Sequence, residues 1–286
     1  MIERVVRKTF IIRPSGRSTD YISPSFGYGC LYNCTYCYMK RHKPEGLDVA
    51  DNTMEILTAI NNHAFFDTTE KPNQTHEKYI TYDISCNEDF ALHAKHHEWQ
   101  KIFEFFRDHP VAFGSFATKY VNPTLLTFNP EGKVRIRFSL MPQDYSTLLE
   151  PNTSKIIDRI AAIDKFIEAG YDVHINFSPV IVTEGWHAQY TELFKLVDAG
   201  VSEHNKDKVK AEVIFLTHNA AKHLYNQEKG LTGEELLWRP ELQESKISQY
   251  GGKNIRYKVK YKNVFIAQFK QLHDRVIPWN TIRYIF

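Results

Sequence analysis

Three cysteines within eight residues, Cys30, Cys34 and Cys37, place the strongest constraint on this chain, because any fold that uses them together must carry their sulfurs to a common place. They lie in Phe26-Gly27-Tyr28-Gly29-Cys30-Leu31-Tyr32-Asn33-Cys34-Thr35-Tyr36-Cys37-Tyr38-Met39, spaced Cys-x3-Cys-x2-Cys between aromatic and small residues. Thiolates at that spacing on one loop can converge on one metal centre, and an iron–sulfur cube held by only three of them keeps one iron without a protein ligand. A zinc site using His42 as fourth ligand is the competing metal reading. Zinc modules usually bring two short-spaced pairs separated by about a dozen residues, and no second pair exists here. A disulfide framework does not suit 286 residues with four cysteines and no secretion signal. Separately buried cysteines are the plain alternative, since free Cys is a common core residue.

The rest of the chain alternates between two periods. Residues 4–13 alternate in part and predict a first strand. Residues 52–66 show helical spacing after Asn52-Thr53, with Met54, Ile56, Leu57, Ile60, Ala64 and Phe65. Strands are then expected at 79–84, 111–116, 134–140, 173–178 and 211–217. Helices are expected at 89–107, 122–128, 153–169 and 185–199, the third capped by Thr153 or Ser154 and stopped at Gly170. A β/α succession of this kind predicts a parallel sheet with right-handed crossovers, and chemistry at the carboxyl ends of its strands. Past residue 230 the pattern changes. Residues 254–265 alternate, with Arg256, Lys258, Lys260 and Lys262 on one face and Ile255, Tyr257, Val259 and Tyr261 on the other, before a helix at 264–275. Residues 1–230 are therefore expected to form the main domain and 231–286 an extension packed on it.

The cysteine loop is the signature of the radical S-adenosylmethionine superfamily, and several further segments resemble one branch of it, the spore photoproduct lyase family. The matching runs are Ser23-Pro24-Ser25-Phe26-Gly27 with the cysteine loop and Tyr38, then Phe116-Ala117-Thr118-Lys119-Tyr120, then Arg135-Ile136-Arg137-Phe138-Ser139. The longest runs from Glu150-Pro151-Asn152-Thr153-Ser154 through Asp158-Arg159-Ile160 and Ala169-Gly170-Tyr171 to Pro179 and Glu184-Gly185-Trp186. The resemblance implies an α/β fold, a partial open (β/α)6 barrel with a C-terminal extension containing a basic β-hairpin. It implies a 4Fe-4S cluster on Cys30, Cys34 and Cys37 that chelates S-adenosyl-L-methionine, with Tyr36 as the aromatic residue before the third cysteine. Lys119 is placed for the carboxylate of S-adenosylmethionine, and Ser139 and Asn176 for its adenosine. Cys86 stands where the family keeps its hydrogen-atom donor, and Tyr38 where it keeps a radical relay. The implied reaction is repair of the methylene-linked thymine dimer in DNA, with flavodoxin or ferredoxin as electron donor. The chain departs from the family pattern at Met141 and at Thr217-His218-Asn219, which touch substrate recognition more than cofactor binding.

Charge and composition bound the partners. Net charge is only +2, so the molecule as a whole is no polycation, but residues 245–263 hold six basic side chains and no acidic one. Arg256, Lys258 and Lys260 can meet phosphates while Tyr257 fills the gap left by bases drawn from the stack; the alternative is an edge strand guarded by lysines. The absence of a long apolar run predicts no membrane span, a cytoplasmic location and a monomer. Two other functions compete with the lyase. One is a radical mutase or transferase acting on a modified base or small substrate, for which the thiol of Cys86 has less use. The other is a non-catalytic, metal-stabilised nucleic-acid-binding module, which predicts zinc instead of iron.

Overall fold

The structure is a computed structural model that describes residues 1–247 and 251–286. Among the described residues the strands are β1 (Ile2–Val5), β2 (Arg13–Pro14), β3 (Tyr21–Ile22), β4 (Gly27–Gly29), β5 (Leu47–Ala50), β6 (Ile80–Asp83), β7 (Ala112–Thr118), β8 (Val134–Leu140), β9 (Asp172–Val180), β10 (Lys210–Phe215), β11 (Thr217–His218), β12 (Gln243–Ile247), β13 (Lys253–Tyr257) and β14 (Thr281–Ile285). The helices are α1 (Met39–His42), α2 (Thr53–Phe66), α3 (Phe90–His93), α4 (Trp99–Asp108), α5 (Gln143–Leu149), α6 (Ile156–Glu168), α7 (Trp186–Gly200), α8 (Glu203–Lys206), α9 (Ala220–Glu228), α10 (Glu234–Leu237) and α11 (Val259–Val276). None of the described helices is long and apolar enough to cross a membrane.

Eight strands form one open sheet in the order β14-β10-β9-β8-β7-β6-β3-β2. From β3 to β10 the order follows the chain. The pairs β3 with β6, β6 with β7 and β7 with β8 are parallel, as is β10 with β14. Parallel neighbours need crossover connections, which α2, then α3 with α4, a 3-10 turn at Pro123–Thr127, α5 with α6, and α7 supply in succession. This is the chain-ordered α/β sheet that the sequence predicts.

The chain forms two compact units, and the division falls within β8, α6 and β9. The first comprises residues 1–31, 43–138 and 162–174. Its core is aromatic: Phe90 stacks on Phe103, Phe103 meets Tyr171 edge-on, and Phe138 meets Phe166. Each ring fully withdrawn from water contributes about 1.5–3 kcal/mol. All seven residues of β8 are buried, including two arginines, because each guanidinium meets a carboxylate: Arg135 with Asp172 and Arg137 with Asp83, both at 2.7 Å. Burial pushes the Asp172 carboxyl up, but His174 and Arg135 reverse this and hold it well below the usual carboxylate range.

The second unit comprises residues 32–42, 139–161 and 175–286. Phe269 of α11 is fully buried among Phe177, Tyr190, Phe194 and Phe215. The last strand, β14, lies beside β10, where Arg283 pairs with Glu212 at 2.5 Å and the Tyr284 hydroxyl donates to the same carboxylate at 3.1 Å. A small sheet of order β11-β13-β12 completes this unit.

Several elements differ from expectation. The strand expected over 4–13 stops at Val5; the Arg7 N–H turns to the Asn52 side chain at 2.8 Å, and Val6 and Ile11 stay 62% and 68% exposed. The helix over 89–107 breaks into α3, a 3-10 turn at Ala94–His96, and α4, an interruption that the apolar period runs straight through. α6 begins at Ile156 rather than at a Thr153 or Ser154 cap, since the Thr153 hydroxyl donates to the Glu150 carbonyl and receives Arg159. Its stop at Gly170 holds, with φ +94°. The alternation over 254–265 is strand only through Tyr257. From Val259 the chain is α11, where Tyr261, Phe265, Phe269 and Leu272 recur at helical spacing and win the register. Lys260 and Lys262 therefore sit on a helix, not on a strand face.

Candidate active site

At the head of the cysteine loop, β4 pairs antiparallel with β5. Gly29 takes φ +108°, and a Cβ there would stand 2.6 Å from the Gly46 carbonyl oxygen, so both backbone and space require glycine. Its N–H donates to the Asn87 carbonyl at 3.1 Å. That bond sets the residue before Cys30 against the residue after Cys86. Cys86 itself lies three residues past β6, half-buried, in a turn fixed from three sides. The Ser85 N–H binds Asp83 at 2.9 Å, the Ser85 hydroxyl oxygen receives the Ala117 N–H at 3.3 Å, and Asn87 Nδ2 donates to the Ser25 hydroxyl at 2.6 Å.

Two buried groups hold this head in place. The Leu31 N–H donates to His93 Nε2 at 3.2 Å, so that nitrogen carries no proton and Nδ1–H must be the donor to Glu88 Oε2, 2.9 Å away. His97 Nε2 reaches the same oxygen at 2.8 Å. Burial would raise the Glu88 carboxyl, but His97 and His93 reverse this and lower it to about 2. Lys119 follows β7, with its N–H on Asp89 Oδ2 at 2.8 Å, while Thr118 donates to Asp89 Oδ1 at 2.6 Å. Asp89 also caps α3 through the Leu92 N–H, so one carboxylate ties a helix start to the lysine's position.

In the second unit, Cys34 is buried and Cys37 half-buried, and the Cys37 N–H closes a turn on the Cys34 carbonyl at 3.0 Å. Thr35 between them is held by the Leu149 carbonyl at 2.9 Å and by Asn226 Nδ2, which donates to its carbonyl at 3.0 Å. The Tyr36 hydroxyl donates to Glu150 Oε1. Burial of the phenol, with Glu150 and Cys34 adding to it, raises Tyr36 well above 10, so it stays a donor. Glu150 Oε2 in turn meets the fully buried Arg159 at 2.9 Å, and Arg159 Nη1 donates to the Ser139 carbonyl at 2.7 Å. Ser139 is thereby tied through a charged network to the cysteine loop. Tyr38 is 45% exposed, edge-on to His42 at 6.1 Å. Asn176 is buried with Oδ1 lacking a hydrogen-bond partner, an acceptor left for something else.

Strand β11 and helices α9 and α10 carry groups that sequence reasoning missed. Glu234 Oε1 accepts from His218 Nε2 at 2.9 Å and His223 Nδ1 at 2.5 Å, and Asn226 donates to its other oxygen. Burial alone would raise the Glu234 carboxyl; its bonds to His218, Asn226 and His223 lower it. The ligand atoms of His218, His223 and Glu234 all lie within 4.8 Å, a grouping that could hold a metal ion, and the three cysteines are not among such sets in the described residues. We take the His–Glu group as a hydrogen-bonded hub, because the ammonium of Lys222, which interacts electrostatically with Glu234, disfavours another cation there.

The cysteines fit an iron–sulfur group by chemistry. All four cysteines are free thiols, and three on one loop make a soft donor set. The basic segment differs from expectation in Tyr257 as well as in the helical placement of Lys260 and Lys262. Tyr257 is 2% exposed, with its hydroxyl receiving the Val182 N–H at 2.9 Å, so its ring braces the strand and offers no wedge to a base stack. Arg256 lies over the Phe286 ring at 5.1 Å, Lys258 donates to the Glu241 carbonyl at 2.9 Å, and Lys260 is exposed.

An open, chain-ordered sheet with a three-cysteine loop near its start, and polar side chains collected beyond its strand ends, defines an α/β protein of the radical S-adenosylmethionine fold class. The model of the family described as spore photoproduct lyase matches residues 3–286, and the chain belongs to that family. It is 28% identical over 212 residues to the spore photoproduct lyase of Bacillus subtilis (strain 168), covering 73% of this chain and 60% of that protein. It is 25% identical over 193 residues to the spore photoproduct lyase of Clostridium acetobutylicum, covering 66% and 55%. The matched part spans less than two thirds of either relative. Among solved structures, a spore photoproduct lyase complexed with dinucleoside spore photoproduct superposes over 100% of this chain and 82% of its own, with TM-score 0.89 and 22% identity. A doubly substituted lyase with bound AdoMet and dinucleoside spore photoproduct gives TM-score 0.88 at 21% identity, over the same shares of the two chains. The family resemblance and the fold it implies are both borne out.

Proposed function

We propose that this chain is a radical S-adenosyl-L-methionine lyase that opens the methylene-linked thymine dimer, spore photoproduct, in DNA. The observation that carries this reading is the Gly29-to-Asn87 hydrogen bond, which seats the Cys86 turn against the head of the cysteine loop. Relatives of the same family supply support: one solved lyase holds dinucleoside spore photoproduct, another AdoMet as well.

Cys30, Cys34 and Cys37 would hold a 4Fe-4S cluster, which with S-adenosylmethionine supplies one-electron cleavage of a sulfonium and hence a radical that abstracts hydrogen. The chain's own residues position and protect that chemistry. Lys119, its backbone clamped by Asp89, is placed to pair with the carboxylate of S-adenosylmethionine. Ser139 and Asn176 are the candidates for bonds to the adenosine, the latter through its unmet acceptor. Tyr36, pinned through Glu150 to Arg159, stiffens the loop between the second and third cysteines. After the carbon–carbon bond breaks, Cys86 gives its S–H hydrogen atom to the thymine radical, which leaves a sulfur radical that Tyr38 relays back toward the cofactor. Arg256, Lys258 and Lys260 contact DNA phosphates, with Tyr257 bracing their strand from within. The reading also takes a flavodoxin or ferredoxin as reductant, a monomer in the cytoplasm, and 231–286 as the extension that brings the hairpin to DNA.

The test is anaerobic reconstitution with iron and sulfide, then incubation with dinucleotide spore photoproduct, S-adenosylmethionine and dithionite. Thymidylyl-thymidine is the expected product. Release of 5′-deoxyadenosine without repair contradicts the lyase assignment and favours a mutase or transferase. Cys86→Ala should keep its cluster and still cleave S-adenosylmethionine, while most of the opened substrate leaves as products other than thymidylyl-thymidine. Normal repair by that variant removes Cys86 from the mechanism.

A further inference from the structure

Lys222 is 1% exposed, and its ammonium has no hydrogen-bond partner. The face of Tyr225 lies beneath it, 4.7 Å from the ammonium to the ring centroid. A buried ammonium that makes no hydrogen bond is poorly compensated, so its location calls for an anion that accounts for it. The helix that carries it supplies the direction. One turn further along α9, Asn226 donates to the Thr35 carbonyl at 3.0 Å, so the 222/226 face of α9 lies on the segment between Cys34 and Cys37. Burial disfavours the Lys222 ammonium and pulls its pKa below the ordinary lysine value; Cys37, Glu234 and Cys34 work against that shift, while Lys40 adds to it. Glu234 is already committed to His218, His223 and Asn226 and takes no hydrogen bond from the lysine.

We infer that Lys222 is a positioning residue for electrons: its buried positive charge stabilises the one-electron-reduced state of an iron–sulfur group on the cysteine loop. The inference rests on the cluster reading of Cys30, Cys34 and Cys37. With three thiolates, a cubane core of charge +2 carries a net charge of about −1, and adding one electron from dithionite makes it about −2. A fixed cation in a site shielded from water interacts more strongly with the second state. Removing that cation should therefore make reduction harder, not easier.

The experiment uses reconstituted full-length protein without S-adenosylmethionine or substrate, so it reads the cluster and not the turnover. Reductive titration followed by electron paramagnetic resonance is run on the wild type, Lys222→Met, Lys222→Gln and Lys222→Arg, each checked for iron and sulfide content. The neutral variants should keep their iron while the ratio of reduced to oxidised cluster at a fixed potential falls about tenfold, equivalent to about 59 mV for one electron. Lys222→Arg should restore most of the shift, which loss of packing alone would not do. A midpoint unchanged in a fully loaded neutral variant overturns the inference. Loss of iron from both neutral variants also overturns it, since the charge would then serve assembly of the site and not its potential. A wild-type protein that takes up no cluster at all contradicts the proposed function itself, an outcome distinct from either.

Discussion

Glu88 receives His93 and His97 on one carboxylate oxygen, while its carboxyl group lies over Gly27, where any Cβ would collide with it. The residue that looks most buried and most costly is thus the one that fixes the amide beside Cys30 through His93. Its carboxyl titrates near 2 against an ordinary 4.5. A depressed folded value means that the charged form contributes stability above the unfolded value, and that this contribution drains away as pH falls from about 4.5 through about 2. Acid unfolding followed by circular dichroism should show that decline in the wild type. Glu88→Gln should be less stable at pH 7 by about 1–3 kcal/mol and lose much of the acid slope. A variant with the wild-type slope would show that other carboxylates set the acid limit.

At the scale of elements, the central strands were legible because seven-residue runs such as 134–140 carry a period of two between clear stops, and their parallel arrangement because α/β sheets connect in few ways. The cysteines, Cys86 and Lys119 were legible as motif positions, and they fall at loop or strand ends. What was hidden is polar and tertiary. Asp89, inside the helix expected over 89–107, turns out to cap α3 and to clamp Thr118 and Lys119. Asn226 meets the cysteine loop at Thr35 across 191 residues of chain, a distance that no periodicity spans. The alternation at 254–265 misled because the same residues also carry a helical stripe, and burial of Phe269 decides between them. The basic charge nevertheless stays clustered on β13 and the start of α11. Lys258→Ala with Lys260→Ala should weaken binding to double-stranded DNA uniformly across sequences and lower the slope of log affinity against log salt by about 1–2. Fluorescence anisotropy at several salt concentrations reads this, and an unchanged slope would remove the hairpin from the interface.

For the whole molecule, a formal charge of +2 gives no bulk attraction for DNA, so the proposed function requires local recognition and a cysteine loop that binds the reactive group. The fold supplies a framework in which three thiols, the Cys86 thiol on the turn after β6 and a lysine after β7 all occupy loop or strand-end positions. Every functional step proposed for the chain requires the cysteines to carry iron with one coordination position left for S-adenosylmethionine. The most direct measurement is iron and sulfide content of anaerobically purified protein together with its dithionite-reduced paramagnetic resonance spectrum, recorded before and after S-adenosylmethionine is added. The account predicts about four irons and four sulfides per chain and a spectrum that changes on adding S-adenosylmethionine; colourless, iron-free protein, or a spectrum indifferent to S-adenosylmethionine, would contradict it.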